Sequence, residues 1–288
     1  MYPPPFEYVA PDTIEEALSY LAQGGDDAKI LSGGMSLIPL MKLRFASPTL
    51  IIDINRVQGL DYITEEAGGL RVGALTRYRT LVRSDLLKSR YLCMASCAPQ
   101  VADPIVRNRG TLVGSLCHAD PQGDWGACML AMNGSVVARS QSGTREIPVD
   151  QFIVGPFQNS LQPGEIGVEC RVPSQGERSF GQYLKLERKV GDFATAGVAV
   201  SIGWTGGSIS HAGIALTGVG SANIKATGAE AALMGGSLNQ GTIAEAARQA
   251  AGACDPKTDH RGSAEYKREI VRVYTERALS AAAGLRAA

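Results

Sequence analysis

The spacing of apolar residues changes period several times along this chain, and each change marks an expected element. Thr13-Ile14-Glu15-Glu16 has the composition of a capping box, and Ile14, Ala17, Leu18 and Leu21 then share one helical face up to Gly24-Gly25. Ile30 and Leu31 predict a strand that runs into the turn Ser32-Gly33-Gly34-Met35-Ser36, and Leu37–Leu43 reads as the start of a helix. Thr49–Ile54 and Gly69–Leu75 are β-type, with Leu70 and Val72 on one face of the second. Residues 76–92 predict a helix capped by Thr76, with Leu81 and Leu86 inward.

From about residue 130 to 173 the pattern shortens to strands separated by turn residues, at Asn133-Gly134, Ser142-Gly143 and Pro163-Gly164-Glu165. Ile166–Val172 is the last of these strands, and Pro173–Glu177 has the composition of a linker. Beyond it Tyr183–Leu186, Val198–Trp204 and Ser208–Leu216 alternate as strands. Ala229–Met234, Thr242–Ala251 and Ala264–Ala283 follow as helices, the last burying Tyr266, Ile270, Val273 and Tyr274. Strands followed by helices predict an α+β fold. A large domain is expected over residues 1–176, divided near 56, and a smaller one over 177–288, with a three-stranded antiparallel sheet backed by helices.

Composition excludes several classes of function. The 28 basic and 28 acidic residues cancel, so charge gives no reason to bind nucleic acid or anionic lipid. No apolar run approaches the ~18 residues of a membrane span. Met1-Tyr2-Pro3-Pro4-Pro5 has neither the basic nor the apolar region of a secretion signal. The six cysteines are irregularly spaced and include no C-x-x-C pair, so no disulfide framework, zinc site or iron–sulfur site is expected in this chain. Reduced thiols fit a cytoplasmic location.

The chemistry concentrates in two turns, Ser32-Gly33-Gly34-Met35-Ser36 and Thr111-Leu112-Val113-Gly114-Ser115. Glycine beside hydroxyl residues lets backbone N–H groups approach a ligand, and two such turns folded together could clasp a diphosphate. Taken singly, each is equally an ordinary turn. His118-Ala119-Asp120-Pro121-Gln122-Gly123-Asp124 offers carboxylates for ribose hydroxyls or a heterocycle edge, or else an Asx-turn with a proline corner. His118 has no further ligands at useful spacing, so no metal site is expected. Arg107-Asn108-Arg109 suits either phosphate or a solvated turn. No G-x-G-x-x-G follows a strand and no Walker lysine follows the glycines, which argues against Rossmann and P-loop sites. Neither Ser36 nor any cysteine comes with a recognisable base, so hydrolysis has no support. Lys185 in its strand suits solvent or a site, and Phe193 suits the core or a flat ligand.

Together these stretches resemble the flavin-binding medium subunit of molybdenum hydroxylases, the family of aerobic carbon monoxide dehydrogenase and xanthine dehydrogenase. The resemblance rests on Ser32-Gly33-Gly34-Met35-Ser36-Leu37-Ile38-Pro39, on Arg107 to Ser115, and on Asp120 to Asp124. Pro163–Ile166, Lys185 with Arg188 before Gly191-Asp192, and Arg261–Tyr266 support it. It implies non-covalent FAD in a two-lobed vanillyl-alcohol-oxidase-type (PCMH-type) domain. By carry-over, Ser32, Gly33, Gly34, Met35, Ser36 and Leu37, with Thr111, Leu112, Val113, Gly114 and Ser115, would bind the diphosphate. The hydroxyls of Ser36, Thr111 and Ser115 would join the backbone as donors. Asp120 and Asp124 would serve the ribityl or flavin side, Ile166 and Gly167 would pack on the ring, and Lys185 and Phe193 would lie near the flavin.

Four positions depart from the family pattern: Val113 stands for glycine, Met35 for Gln or His, Gly167 for a bulky apolar residue and Phe193 for tyrosine. The implied role is electron relay. A small subunit with two-iron two-sulfur clusters would feed FAD, a large molybdopterin subunit would oxidise the substrate, and the assembly would be a dimer of heterotrimers. The alternatives are a self-contained FAD oxidoreductase and an interaction subunit without cofactor. Carbon monoxide, a purine alkaloid, nicotine and a quinoline all remain open as substrate, and the acceptor is equally open.

Overall fold

The computed structural model describes residues 2–66, 68–176 and 178–284. Of the expected segments, Glu177 at the start of the second domain and residues 285–288 at its end lie outside the described residues. The chain begins with β1 (Glu7–Val9), α1 (Ile14–Gly24), β2 (Ala28–Leu31), α2 (Leu37–Lys42) and β3 (Leu50–Asp53). The Thr13 hydroxyl accepts from Glu16 N–H, while the Glu16 carboxylate accepts from Asp12 N–H, so the expected box closes one residue early. Ile14, Ala17, Leu18 and Leu21 pack onto a parallel sheet of order β1-β3-β2. Parallel neighbours need a crossover, and the segment from Ser32 through α2 supplies it. The first glycine turn therefore sits at the carboxyl end of β2.

The second layer contains β4 (Ile63–Glu66), β5 (Gly69–Gly73), β6 (Ser135–Ser140), β7 (Gly143–Pro148) and, after α9 (Val149–Phe152) and the hairpin β8 (Ile153–Gly155)–β9 (Gln158–Asn159), β10 (Ile166–Pro173). Its sheet runs β4-β5-β10-β6-β7, antiparallel throughout. Between β5 and β6 come α3 (Tyr78–Arg83), α4 (Asp85–Arg90), α5 (Leu92–Cys97), α6 (Pro104–Arg109), α7 (Leu112–His118) and α8 (Asp124–Ala131). The helix expected over 76–92 is thus broken into short pieces. Thr76 caps none of them; its hydroxyl donates to Tyr62 O at 2.8 Å and accepts from Tyr62 N–H at 3.1 Å. Leu81 and Leu87 are the fully buried leucines of this stretch.

The third layer is an antiparallel sheet of β11 (Arg178–Leu186), β12 (Ala196–Thr205), β13 (Ser208–Thr217) and β14 (Ile224–Lys225). β14 is a two-residue fourth strand that hydrophobic alternation does not reveal. Helices α10 (Thr227–Ala231), α11 (Gln240–Ala253) and α12 (Ala264–Ala282) back the sheet. On α12 the buried positions are Lys267, Val271, Thr275, Ala278, Leu279 and Ser280; of the expected face Ile270 and Tyr274 pack partly buried against the core, while Tyr266 is exposed. This turns the helix from the expected face. Lys267 is tolerated on this face because its ammonium reaches Asp259 Oδ2 at 2.7 Å and Lys257 O at 2.9 Å. Every residue of α8 is buried, because it lies between the helices of the second layer and strands β12 and β13. Its end meets Gly213, where a Cβ would come 1.6 Å from Ala131 O.

The face of the second sheet turned away from the helices carries a charge ladder. Arg71 and Arg171 stand directly opposite on β5 and β10, a repulsive pairing that Glu169 resolves by accepting from both and from the Tyr62 hydroxyl. Burial works against ionisation of Glu169, but hydrogen bonds from Arg71, Tyr62 and Arg171 hold its carboxyl below the usual range. A depressed carboxyl contributes stability above its unfolded value, and that contribution disappears as pH falls through the folded one. Glu169→Gln should therefore cost about 2 kcal/mol at pH 7, the scale of lost charge-assisted hydrogen bonds. The difference from wild type should shrink below pH ~4. Urea unfolding of both proteins at neutral and acid pH measures it.

Candidate functional site

The two glycine turns, far apart in sequence, meet in space. The Ser32 hydroxyl lies 3.2 Å from that of Thr111. Ser32 also contacts Ala74 O at 3.3 Å, and Thr111 Oγ1 accepts from Gly114 N–H at 3.2 Å. One proton arrangement satisfies all three contacts: Gly114 donates to Thr111, Thr111 to Ser32, and Ser32 to Ala74. At Gly33 a Cβ would lie 2.4 Å from Arg109 O and 3.0 Å from Gly110 Cα, so only glycine allows the turns to touch.

This arrangement sorts the expected donors. The Thr111 hydroxyl is committed inside the protein, joining the turns. Among the described residues, backbone N–H groups of Gly33, Gly34, Met35, Ser36 and Leu37, and of Val113, find no protein acceptor, while that of Leu112 is taken up by the bridge that pairs Arg77 with Thr111. The hydroxyls of Ser36 and Ser115 sit beside them, half-buried. Unpaired N–H groups on converging turns form a donor set suited to the oxygens of a diphosphate. Arg107 is used otherwise: its guanidinium donates to Val101 O and Ala102 O.

Leu112 and Val113 are buried, with side chains in the core beneath the second turn. Gly167, on β10, faces the same space; a Cβ there would lie 3.1 Å from Val113 Cγ1 and 3.0 Å from Cys117 Sγ. The two departures at 113 and 167 are therefore complementary, the valine occupying volume that glycine leaves free. Ile166 points into the core of the first layer, among Leu60, Leu75 and Ile54.

A second cluster gathers Asp124, Lys185 and Phe193. Asp124 opens α8; its carboxylate accepts from the Tyr183 hydroxyl at 2.5 Å and faces Lys185 Nζ at 3.4 Å. Burial pushes the Asp124 carboxyl up against the pull of Lys185 and Tyr183, and burial raises the Tyr183 phenol as well. Lys185 is not a solvated strand lysine: its side chain is 1% exposed, donates to Gln100 O at 2.7 Å and Asp192 O at 3.1 Å, and lies 3.1 Å from Glu187. Arg261 donates to Asp192 and to Phe193 O, clamping the turn that presents the half-exposed Phe193 ring. The hydrogen bond from Arg261 holds the Asp192 carboxyl low. Asp120 forms the Asx-turn, accepting from Gln122 N–H at 2.9 Å, and stands 3.9 Å from His118. Burial lowers the His118 pKa, against Asp120, and its ring packs on Phe157. No group of three or more His, Cys, Asp or Glu side chains positioned for a metal ion occurs among the described residues.

Residues outside the motifs complete the site. Tyr78 lies under the second turn, where a Cβ on Gly110 would come 2.4 Å from its ring, and it packs against Trp125 with centroids 5.8 Å apart. Burial raises the Tyr78 phenol, opposed by a hydrogen bond with Ser115. Asn55 and Arg77 link to both turns. None of the three sits in a recognisable pattern; the signal is a polar or aromatic residue at the end of a strand.

Residues 4–175 match the family model described as the FAD binding domain in molybdopterin dehydrogenase. The chain belongs to that family. Residues 181–282 match the C-terminal domain of the carbon monoxide dehydrogenase flavoprotein. The chain is 41% identical over 282 residues to the carbon monoxide dehydrogenase medium chain of Hydrogenophaga pseudoflava, covering 98% of each. It is 39% identical to the 6-hydroxypseudooxynicotine dehydrogenase complex subunit alpha of Paenarthrobacter nicotinovorans, covering 98% of this chain and 96% of that one. A solved structure of carbon monoxide dehydrogenase from Hydrogenophaga pseudoflava, lacking the Mo-pyranopterin moiety of its cofactor, superposes with a TM-score of 0.94 at 42% identity over 100% of both chains. This molybdopterin dehydrogenase FAD-family member thus has a PCMH-type FAD-binding domain followed by a flavoprotein C-terminal domain. It is the flavoprotein component of an oxidoreductase, with FAD as its cofactor.

Exchange at the complementary pair provides a test. Gly167→Leu alone should cost about 1–3 kcal/mol by overpacking against Val113 and Cys117. Adding Val113→Ala should recover part of that loss in urea denaturation.

Proposed function

We propose that this chain binds FAD across the two glycine turns and relays electrons from an iron–sulfur subunit to an external acceptor. The observation that carries the reading is the convergence of the turns, with unpaired N–H groups on both, at a contact that a side chain on Gly33 would prevent. Gly33 to Leu37 and Val113 would supply backbone donors to the diphosphate, with Ser36 and Ser115 adding hydroxyls. Phe193, held by the Arg261 clamp, would cover the flavin. Lys185 would favour negative charge at the flavin's polar edge. Asp124 would act through Lys185 and Tyr183, since both of its oxygens face partners inside the protein.

Bound FAD supplies the ability to exchange electrons with both one-electron and two-electron partners. The chain's own task is to hold it, bias its charge and leave it accessible. The small subunit would carry the two-iron two-sulfur clusters and the large subunit the molybdopterin. The whole would assemble as a dimer of heterotrimers in the cytoplasm. Substrate choice would rest on the large subunit. Relatives named for carbon monoxide, 6-hydroxypseudooxynicotine and caffeine are similar in sequence over nearly the whole chain, which fits that division of labour. No helix among the described residues is long and apolar enough to cross a membrane.

Purified protein should show the flavin absorption bands and release free FAD in stoichiometric amount on denaturation; a colourless, folded protein overturns the reading. Gly33→Val, which collides with Arg109 O, should abolish FAD binding while the far-ultraviolet circular dichroism persists. Gly114→Val, whose Cβ would meet Thr111 Oγ1 at 2.7 Å, should do the same. Full flavin content in both variants rejects the cradle.

A further inference from the structure

We propose that Asn55 and Arg77 are positioning residues that lock the two glycine turns into one cradle, through a relay that runs beside the direct Ser32–Thr111 contact. The proposal rests on the FAD reading above and assigns a role to two residues outside every motif that carries it. Asn55 follows β3, on the strand that pairs with β2, and Arg77 follows β5, just before α3. They come from different layers of the fold, as the two turns do.

Each bond in the relay has a defined direction. The Asn55 side-chain amide donates from Nδ2 to Ser32 O at 2.8 Å, gripping the first turn by its backbone. Its Oδ1 accepts from Arg77 Nη2. Arg77 Nη1 in turn donates to Arg109 O at 2.7 Å, gripping the second turn on the same carbonyl that Gly33 approaches. The Arg77 backbone also bridges to Thr111, and Tyr78 N–H donates to Gly110 O at 2.9 Å. Asn55 is itself held, since Asp53 Oδ1 accepts from its backbone N–H at 2.9 Å and Asp53 Oδ2 accepts from the Tyr8 hydroxyl at 2.7 Å.

The geometry demands these residue types. The Asn55 amide donates to a carbonyl through its nitrogen and accepts from a guanidinium through its oxygen, so one head group spans both partners. Only a guanidinium reaches Asn55 and Arg109 O at once with a planar fork. The relay fixes the separation of the two turns while leaving their N–H groups outward. Arg77 also brings a half-buried positive charge beside the two turns, which favours an anion near them.

The test uses the full chain stripped of flavin, with FAD and ADP as probes; ADP carries a diphosphate without the flavin. Asn55→Ala and Arg77→Gln should each weaken both probes about tenfold or more, the effect of losing a well-placed hydrogen bond of this kind. The double variant should bind no worse than the poorer single one, because either change breaks the same relay. Arg77→Lys, with one head group in place of a fork, should recover part of the affinity. The thermal midpoint of the flavin-free protein should change little. Wild-type affinity in both single variants overturns the proposal while leaving the FAD reading intact. So do additive losses, or losses that follow a fall in the thermal midpoint. Failure of the wild-type chain to bind either probe overturns the FAD reading, and this proposal with it.

Discussion

The close approach of Gly33 to Arg109 O is the contact on which the rest of the arrangement depends. The first turn belongs to a parallel sheet formed near the amino terminus, and the second to a helical layer formed about eighty residues later. Neither turn alone offers more than a few outward N–H groups. Pressed together they offer donors from two directions, and the pressing is possible because one residue has no side chain. The hydroxyl chain through Gly114, Thr111, Ser32 and Ala74 then secures the contact without using the outward donors.

The site divides into parts with different physics. The cradle is built from backbone and is neutral, with the Arg77 guanidinium bonded to Asn55 and Arg109 O beside it. The Asp124–Tyr183–Lys185 cluster is built from side chains and is buried, so its charges interact strongly and respond to any charge brought near. Arg261 ties the second part to the turn bearing Phe193, and Tyr78 with Trp125 forms an aromatic support between the parts. A cofactor spanning both would have its diphosphate held by geometry and its ring tuned by electrostatics.

Much of this was legible in the sequence, for reasons that differ by residue. The turns at 32–36 and 111–115 announce themselves because glycine beside serine or threonine is a local chemical pattern. Strands such as Leu50–Asp53 and the stripe of α1 follow from periodicity. What was not legible depended on long-range pairing. Alternation left Lys185 open between solvent and a site, because the carboxylate that admits it to the interior lies far away in the chain, at 124. Thr76 had the composition of a cap but found a partner in Tyr62. Val113 and Gly167 read as separate oddities and make sense only as neighbours.

The helix over Asp124–Ala131 has a further consequence for how the molecule comes into being. With no solvent-facing side, it belongs equally to the layer before it and to strands that follow only after dozens of further residues. On a ribosome adding roughly 5–20 residues each second, it waits on the order of seconds for the sheet that will cover it. During that interval the side of the helix that will meet Gly213 and Asn223 lacks its cover, and Asp124 has not yet met Lys185. The cluster of Asp124 with Tyr183 and Lys185 therefore closes late in biogenesis, after the strand that carries its partners has been made.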